Sequence, residues 1–247
     1  MNISVCMATY NGEKYITRQL QSILCQLTPS DEIIIVDDCS VDATCQLIDK
    51  MKDNRICLYR NENNLGFVKS FEKATLYAKN DIIFLSDQDD EWFREKVAAI
   101  KSLFIAKNLD LIIHNAVVMD GMGNVILDRW FRKPLGQYLF TRHFINNHNM
   151  GCMMAFHKNF LEFAYPFPSC VESHDQWIGL NADLQNKGVH FLDECLMIWF
   201  RHGLNASSMR PRAVRKIIIS RVRMCSLIAI FYWRKLKKFL WKRIKSV

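Results

Sequence analysis

The chain has 247 residues, half of them apolar, and carries a formal net charge of +8. This composition excludes a largely disordered protein, and the length suits a single α/β domain. The charge is uneven, because residues 210–247 hold 13 Lys and Arg and no acid, whereas the remaining 209 residues hold 20 basic and 25 acidic groups. We therefore expect an acidic globular domain followed by a basic tail.

The 9 cysteines are scattered, with neither a CxxC pair nor the spacing of a zinc site. Several lie inside apolar runs, which favours reduced thiols in the core of a cytosolic protein over a disulfide framework. No signal peptide precedes the first predicted strand. We therefore expect a cytoplasmic protein.

Strands and helices alternate along the first half of the chain. Predicted strands cover 3–8, 33–36, 56–59 and 82–85, and predicted helices cover 13–26, 42–51, 66–78 and 94–106. Strands separated by helix-length segments indicate βαβ crossovers, and their nearly unbroken apolar character indicates a parallel sheet covered on both faces. Residues 1–105 are thus predicted to form the nucleotide-binding half of a Rossmann-like α/β domain.

Residues 106–209 are less regular and contain no low-complexity linker. A strand is predicted over 111–119, a turn at Asp120-Gly121, a further strand over 152–156 and a helix over 175–187. Irregular segments that follow an α/β half often carry binding sites. We expect this region to be the acceptor-binding half of the same domain, 1–209.

Acidic residues follow two of the predicted strands. Asp37 and Asp38 end the second strand, and Asp87, Asp89 and Asp90 follow the fourth. The carboxyl ends of neighbouring parallel strands meet in one crevice, where carboxylates can hold a divalent cation. The alternatives are that Asp37 and Asp38 cap the next helix, and that the second group is a solvated turn with Asp90 as a helix cap.

Four segments in this order and spacing carry a family resemblance: MATYNG at 7–12, VDDCSVDAT at 36–44, NNLG at 63–66 and SDQDDEW at 86–92. Together they resemble the family-2 inverting glycosyltransferases with the GT-A fold, over about residues 2–205. The Asp-Gln-Asp-Asp-x-Trp form is most similar to rhamnosyltransferase-type members. The resemblance implies a mostly parallel Rossmann-like sheet flanked by helices.

The resemblance also implies a nucleoside-diphosphate-sugar donor. Its binding residues would be Ala8, Tyr10, Asp38, Asp87 and Gln88. Asp38 would accept a hydrogen bond from the pyrimidine N3–H, which uracil and thymine share. Asp89 would bind Mg²⁺ or Mn²⁺ on the diphosphate, and His202, in the segment RHGLN at 201–205, would reach the diphosphate or the metal.

On the acceptor side, ESHDQW at 172–177 is similar to the family's short acidic motif at a helix start. Asp175 would be the catalytic base, with Trp177 partly desolvating it. The alternative for Asp175 is a helix N-cap. Asn149, Gly151, His174 and Trp177 are further residues of the acceptor or sugar side, although a structural role is favoured for His174.

The basic tail carries an apolar stripe at helical spacing. Its members are Val214, Ile218, Val222, Cys225, Ala229, Tyr232, Leu236 and Phe239. The longest uncharged run, 224–233, is too short to span a bilayer. A basic amphipathic helix over 210–247 indicates an anchor on an anionic membrane surface. The alternatives are packing on its own domain or a homodimer, and nucleic-acid binding is not favoured.

We therefore expect an inverting glycosyltransferase that transfers a sugar to a lipid-linked glycan, such as a lipopolysaccharide or capsule precursor, on the inner face of the cell membrane. Rhamnose is the first candidate sugar, and galactose, glucose or N-acetylglucosamine are others. The main alternative is a catalytically inactive sugar-nucleotide-binding scaffold. A nucleotidyltransferase is disfavoured, because TYNG at 9–12 is not a Gly-rich phosphate loop.

Overall fold

The computed structural model describes residues 1–132, 149–203, 205 and 214–245, with only the backbone of 214 and 242–245. A sheet of nine strands forms its centre, in the order β3-β2-β1-β4-β8-β6-β9-β5, with β7 paired to β6. The bounds of the elements, in chain order, are β1 (Ile3–Thr9), α1 (Ile16–Leu24), β2 (Glu32–Asp37), α2 (Thr44–Lys50), β3 (Ile56–Arg60), α3 (Phe67–Tyr77), β4 (Ile82–Ser86), β5 (Glu91–Trp92), α4 (Lys96–Ala106), β6 (Leu111–Asp120), β7 (Val125–Leu127), β8 (Met154–His157), α5 (His174–Leu184), β9 (Val189–Arg201) and α6 (Val214–Lys245).

The first half of the chain folds as predicted. Strands β3, β2, β1 and β4 pair in parallel, and β1, β2 and β4 are buried along almost their whole length. Their apolar side chains need cover on both faces, which crossover helices provide. The predicted helices at 13–26 and 42–51 begin later, at Ile16 and Thr44, because the residues before them form loops at the carboxyl edge of the sheet.

The second half extends the same sheet in mixed orientation. Strand β8 is antiparallel to both β4 and β6, and follows a 3₁₀ turn at Gly151–Met153, so the predicted strand at 152–156 begins two residues late. The long strand β9 runs parallel to β6 and antiparallel to the two-residue β5. Neither β9 nor β5 was predicted. The boundaries proposed at residues 105 and 209 stay predictions.

The tail helix α6 is continuous from Val214 to Lys245. The predicted apolar stripe is exposed where side chains are described, for example at Val222 and Leu236. The opposite face packs on the domain through Met224, Leu227 and Phe231, which are almost fully buried. Packing on its own domain, one of the alternatives, therefore occurs on the face opposite the stripe. The tail residues 210–213 and 246–247 lie outside the described residues.

Candidate functional site at the carboxyl edge of the sheet

Three neighbouring strands end together at this edge. The parallel register pairs Thr9 with Asp37, and Met7 with Ser86. The loops that follow these strands therefore start side by side, with Tyr10, Asp38 and Asp87 at their heads. The expectation that the two acidic groups share one crevice is thus met by the register of the sheet.

The loops after β1 and β2 are tied together by hydrogen bonds. The Asn11 amide N–H donates to Ser40 Oγ at 2.8 Å, and the Val41 N–H returns a bond to Asn11 Oδ1 at 2.9 Å. The Gly12 N–H donates to Thr44 Oγ1 at 2.7 Å. Two loops held by each other are preorganised, so a base bound between them meets a fixed wall.

Gln88 links the acidic loop to the first loop. Its Oε1 accepts from the Tyr10 N–H at 2.9 Å, and its Nε2 donates to the Tyr10 carbonyl at 3.0 Å. A Cβ added at Gly12 would lie 2.3 Å from Gln88 Oε1, so only glycine leaves room for this amide. Gln88 therefore positions the Tyr10 backbone, while the Tyr10 ring is 47% exposed at the mouth of the crevice.

Asp38 is almost fully buried and holds the loop that precedes α3. Its Oδ1 accepts from the Leu65 N–H and from Asn61 Nδ2, both at 2.8 Å, and its Oδ2 accepts from the Gly66 N–H at 2.8 Å. A carboxylate offers about four acceptor positions, and the bonds among the described residues use three of those of Asp38. The NNLG segment at 63–66 is thus bound directly to the predicted base reader.

Neither Asp37 nor Asp38 caps α2. Asp37 accepts from Thr9 Oγ1 at 3.0 Å and from the Ser40 N–H at 2.9 Å. Helix α2 has Ala43 at its N-cap position, without a side-chain capping bond. The capping alternative is therefore wrong for both aspartates, which instead join neighbouring loops.

Asp89 faces the segment that follows β9. Its Oδ2 lies 2.9 Å from His202 Nε2 and accepts from Asn205 Nδ2 at 3.0 Å. The imidazole of His202 stacks on the Tyr15 ring with 4.4 Å between centroids, which fixes its orientation. The two residues predicted to bind a metal are therefore in contact, although 113 positions separate them.

A carboxylate suits Mg²⁺ or Mn²⁺, and histidine is a common metal ligand. Both side chains are only slightly exposed, at 14% for Asp89 and 9% for His202. Asn205 orients both, since its Oδ1 accepts from the His202 N–H at 2.6 Å. The residues present thus fit a small divalent cation at this place.

Asp87, which is partly exposed, and the buried Asp90 form an electrostatic cluster with Asp89. Burial, followed by the nearby Asp89 and Asp175, raises the pKa of Asp87 to about 7. Burial also raises the pKa of Asp90 well above its ordinary value, and Asp90 Oδ2 has no hydrogen-bond partner. Asp90 Oδ1 accepts from the Phe200 N–H at 3.2 Å, so this residue secures β9 and does not cap a helix.

Lys96 supplies the buried positive charge of this cluster. Its Nζ donates to the Cys152 carbonyl at 3.0 Å and lies 3.9 Å from the centre of the Trp92 ring. Burial lowers the pKa of Lys96 to about 7, against the attraction of nearby acidic groups. In the sequence, a lysine near the start of a helix suggests an exposed side chain, so the buried role of Lys96 was not predicted.

Among the described residues, Asp87, Asp90 and Cys152 form a group whose potential ligand atoms lie within 4.8 Å of one another. Burial raises the pKa of the Cys152 thiol well above its ordinary value. A protonated thiol is a poor ligand, and Mg²⁺ and Mn²⁺ prefer oxygen ligands. This group therefore fits a catalytic cation less well than Asp89 and His202 do.

Asp175 lies in the first turn of α5, close enough to Asp87 to contribute to its raised pKa. Its Oδ2 accepts from the Gly151 N–H at 3.2 Å, and its Oδ1 accepts from the Gln176 N–H at 2.6 Å and from Ser173 Oγ. The N-cap residue is Ser173, which makes no capping bond, so Asp175 is not the N-cap. The structure thus places the predicted base near the acidic loop, within electrostatic reach of Asp87.

Two other predicted acceptor-side residues, His174 and Trp177, lie in α5 and make buried contacts with neighbouring segments. Trp177 is fully buried and its indole N–H donates to the Ala164 carbonyl at 3.1 Å, so its ring offers no surface to an acceptor. His174 stacks on Phe71 at 3.8 Å, and burial lowers its pKa to about 4. A structural role, favoured for His174, is what the contacts indicate.

Two close approaches explain Gly151 and Asn149. A Cβ at Gly151 would lie 2.5 Å from His174 Nε2, so this glycine makes room for the histidine. A Cβ at Gly179 would lie 2.4 Å from the amide group of Asn149, which is 1% exposed. Both residues therefore pack α5 against the turn before β8.

Carboxylate-bearing loops on a mostly parallel sheet flanked by helices define an α/β protein of the GT-A class. The sequence profile described as "Glycosyl transferase family 2" matches residues 4–163. The chain belongs to this family. The resemblance noted in the sequence is thereby confirmed at the level of the family, whereas rhamnosyl specificity is not tested.

Two relatives match over most of the chain. The putative teichuronic acid biosynthesis glycosyltransferase TuaG of Bacillus subtilis is 35% identical over 87% of this chain and 84% of its own length. The enzyme named UDP-Glc:alpha-D-GlcNAc-diphosphoundecaprenol beta-1,3-glucosyltransferase WfgD, of Escherichia coli, is 25% identical over 87% of this chain and 82% of its own length.

A solved structure of S. aureus TarS, residues 1–349, in complex with UDP-GlcNAc superposes with a TM-score of 0.70. The match covers 96% of this chain and 73% of that one, at 20% identity, and therefore shows the fold alone. A second structure of S. aureus TarS 1–349 matches over 80% of this chain and 60% of its own length. Among the described residues, no helix is long and apolar enough to cross a membrane.

Proposed function

We propose that this protein is an inverting, metal-dependent glycosyltransferase that transfers a sugar from a nucleoside diphosphate to a lipid-linked glycan of the cell surface. The observation that carries the proposal is the contact of 2.9 Å between Asp89 Oδ2 and His202 Nε2, beside the loops of Tyr10 and Asp38. This contact lies where the diphosphate of a bound donor would meet both Asp89 and His202. The relatives' names support a glycan under assembly as the acceptor.

The donor binds along the carboxyl edge. The wall formed by Ala8 and Tyr10 covers the base, and Asp38 receives the N3–H of uracil or thymine. Asp87 faces the ribose, and Gln88 keeps the Tyr10 backbone in place. A UDP-sugar is the first donor to test because the names of WfgD and of the TarS complex contain UDP-sugars; dTDP-rhamnose stays in the test.

Asp89 and His202 hold Mg²⁺ or Mn²⁺. The bound cation supplies charge neutralisation of the leaving diphosphate. Asp175 accepts the proton of the acceptor hydroxyl as that oxygen bonds to the anomeric carbon, while the bond from this carbon to the diphosphate breaks. Attack opposite the leaving group inverts the anomeric configuration. Asn149, Gly151, His174 and Trp177 keep Asp175 in position.

The enzyme works at the cytoplasmic face of the membrane, where its basic tail helix meets anionic lipid. The test is release of nucleoside diphosphate from UDP-glucose, UDP-GlcNAc, UDP-galactose and dTDP-rhamnose with Mn²⁺ and a short polyprenyl-diphosphate-sugar acceptor. Asp175→Asn should lower kcat by about 10²- to 10⁴-fold with an unchanged KM for the donor. Asp89→Asn should raise the Mn²⁺ concentration for half-maximal rate by about 10-fold or more.

The alternative is an inactive sugar-nucleotide-binding module, and the same experiment separates the two. Donor binding without turnover for every donor, in a protein that melts cooperatively, would establish the alternative. A matched control is Asp42→Asn, since Asp42 lies in the same edge but binds only the backbone and hydroxyl groups of its neighbouring loops. It should leave the Mn²⁺ dependence unchanged.

A further inference from the structure

The tail helix α6 has two opposite faces with the same spacing of three and four residues. The seam against the domain consists of Ser220, Met224, Leu227, Phe231, Arg234 and Lys238. The outer stripe consists of Ile218, Val222, Cys225, Ala229, Tyr232 and Leu236, with the exposed Trp233 next to Tyr232. Most stripe residues precede a seam residue by two positions, and two positions turn an α-helix by about 200°. One rigid helix therefore presents two surfaces back to back.

The seam is docked by both apolar and polar contacts. Phe231 is fully buried and meets Phe163 edge to face with 5.6 Å between centroids. The guanidinium of Arg234 donates to the carbonyls of Phe163 at 2.9 Å, Ala164 at 2.8 Å and Pro166 at 2.6 Å. Three carbonyls on one guanidinium fix the helix in rotation as well as in position.

The outer stripe leaves large apolar side chains in solvent. Ile218 is 59% exposed, Val222 62%, Trp233 60% and Leu236 56%. Residues 214–245 contain no acid, and Arg221, Lys235 and Lys237 flank the stripe by their positions along the helix. An apolar stripe with basic flanks complements an anionic lipid surface, in which the apolar side chains leave water and the charges meet headgroups.

The seam also reaches the part of the domain that carries the proposed base. Beside the seam, the partly exposed Arg223 donates from Nη1 to Glu172 Oε1 at 2.8 Å, three residues before Asp175. The Ala164 carbonyl accepts both from Arg234 and from the indole N–H of Trp177, which lies on the same helix as Asp175. The tail and the segment of Asp175 are therefore joined by direct contacts.

We propose that α6 is a bracket: its seam stays docked on the domain while its outer stripe lies on an anionic bilayer. The acceptor side of the site is then held at one orientation to the lipid surface. The importance of this orientation for transfer rests on the proposed function. The bracket itself does not, because it is tested without turnover.

The stripe is tested by sedimentation of the full chain with vesicles of 70% phosphatidylcholine and 30% phosphatidylglycerol. The double variant Val222→Gln/Leu236→Gln should lower the partition coefficient at least about 10-fold, because two exposed apolar side chains no longer enter lipid. Ile105→Gln, on the exposed face of α4, is the matched control and should sediment like the wild type. Equal sedimentation of the double variant overturns the proposal. So does a wild-type dimer without lipid that this variant dissociates, because the stripe would then bind a second copy.

The seam is tested by amide hydrogen exchange of residues 158–166 on the same vesicles. Arg234→Met should speed exchange there at least about 5-fold by removing the bonds to three carbonyls. Lys235→Met removes the same charge from an exposed position and should leave hydrogen exchange of residues 158–166 slow. If vesicles alone accelerate exchange in the wild type to the Arg234→Met rate, or if Arg234→Met has no effect, the bracket is refuted. If the protein gives the expected sedimentation and exchange results but shows no turnover, the proposed function is refuted and the bracket is not.

Discussion

His174 gives the protein a specific sensitivity to acid. Its ring is buried on Phe71, neither ring nitrogen has a hydrogen-bond partner, and burial lowers its pKa from 6.5 to about 4. The unfolded chain therefore takes up a proton at a higher pH than the folded chain does. The free energy of unfolding should fall as the pH drops from 6.5 towards 4, by about 2 kcal/mol at pH 5 and about 3 kcal/mol at pH 4.

The assay is urea unfolding at pH 7, 6 and 5 of the wild type and of His174→Phe, which keeps the stacked ring and removes the titrating group. The loss between pH 7 and pH 5 should be about 2 kcal/mol smaller in the variant. His190→Gln is the control, because partial burial also lowers the pKa of His190 but much of its ring remains in solvent. Parallel pH curves for the wild type and His174→Phe would show that His174 is not held neutral.

Two further substitutions follow from the site. Gly151→Ala should destabilise the fold by about 1–3 kcal/mol, because its Cβ would lie 2.5 Å from His174 Nε2. Gly203→Ala, whose Cβ would meet no atom of the described residues within 4 Å, should change the melting temperature little. Lys96→Met should move the acid limb of the kcat/KM profile to higher pH, because the Lys96 charge lowers the pKa of Asp87. An unmoved acid limb in a variant that folds would contradict the second expectation.

The first half of the chain could be predicted because its strands are recognisable in the sequence. Each is a mostly apolar strand of five to seven residues followed by polar loop residues, and parallel pairing then brings Asp38 and Asp87 to the same edge of the sheet. The bonds of these side chains could not be predicted. Nothing in the sequence distinguishes Gln88 as a partner of the Tyr10 backbone, since the partners lie 78 positions apart.

The second half was harder for a physical reason. Strand β9 contains Asp193 and Glu194 in its middle, where the pairing with β6 shifts register, so no regular alternation marks it. In the tail, the apolar periodicity marked the exposed stripe because that face is the more hydrophobic in sequence. The docked face includes Ser220, Arg234 and Lys238, whose contribution through hydrogen bonds and salt bridges has no apolar signature.

The contact between Asp89 and His202 also bears on the order in which the protein assembles. It joins positions 113 apart, and the segment Glu91–Trp92 beside Asp89 pairs only with β9. Contacts so distant in the chain form late, after a large loss of chain entropy. During refolding we expect the loops of Tyr10 and Asp38 to become ordered before Asp89 and His202 come into contact. Added Mn²⁺ would then stabilise only chains that have finished folding, and would slow their unfolding without accelerating the first steps.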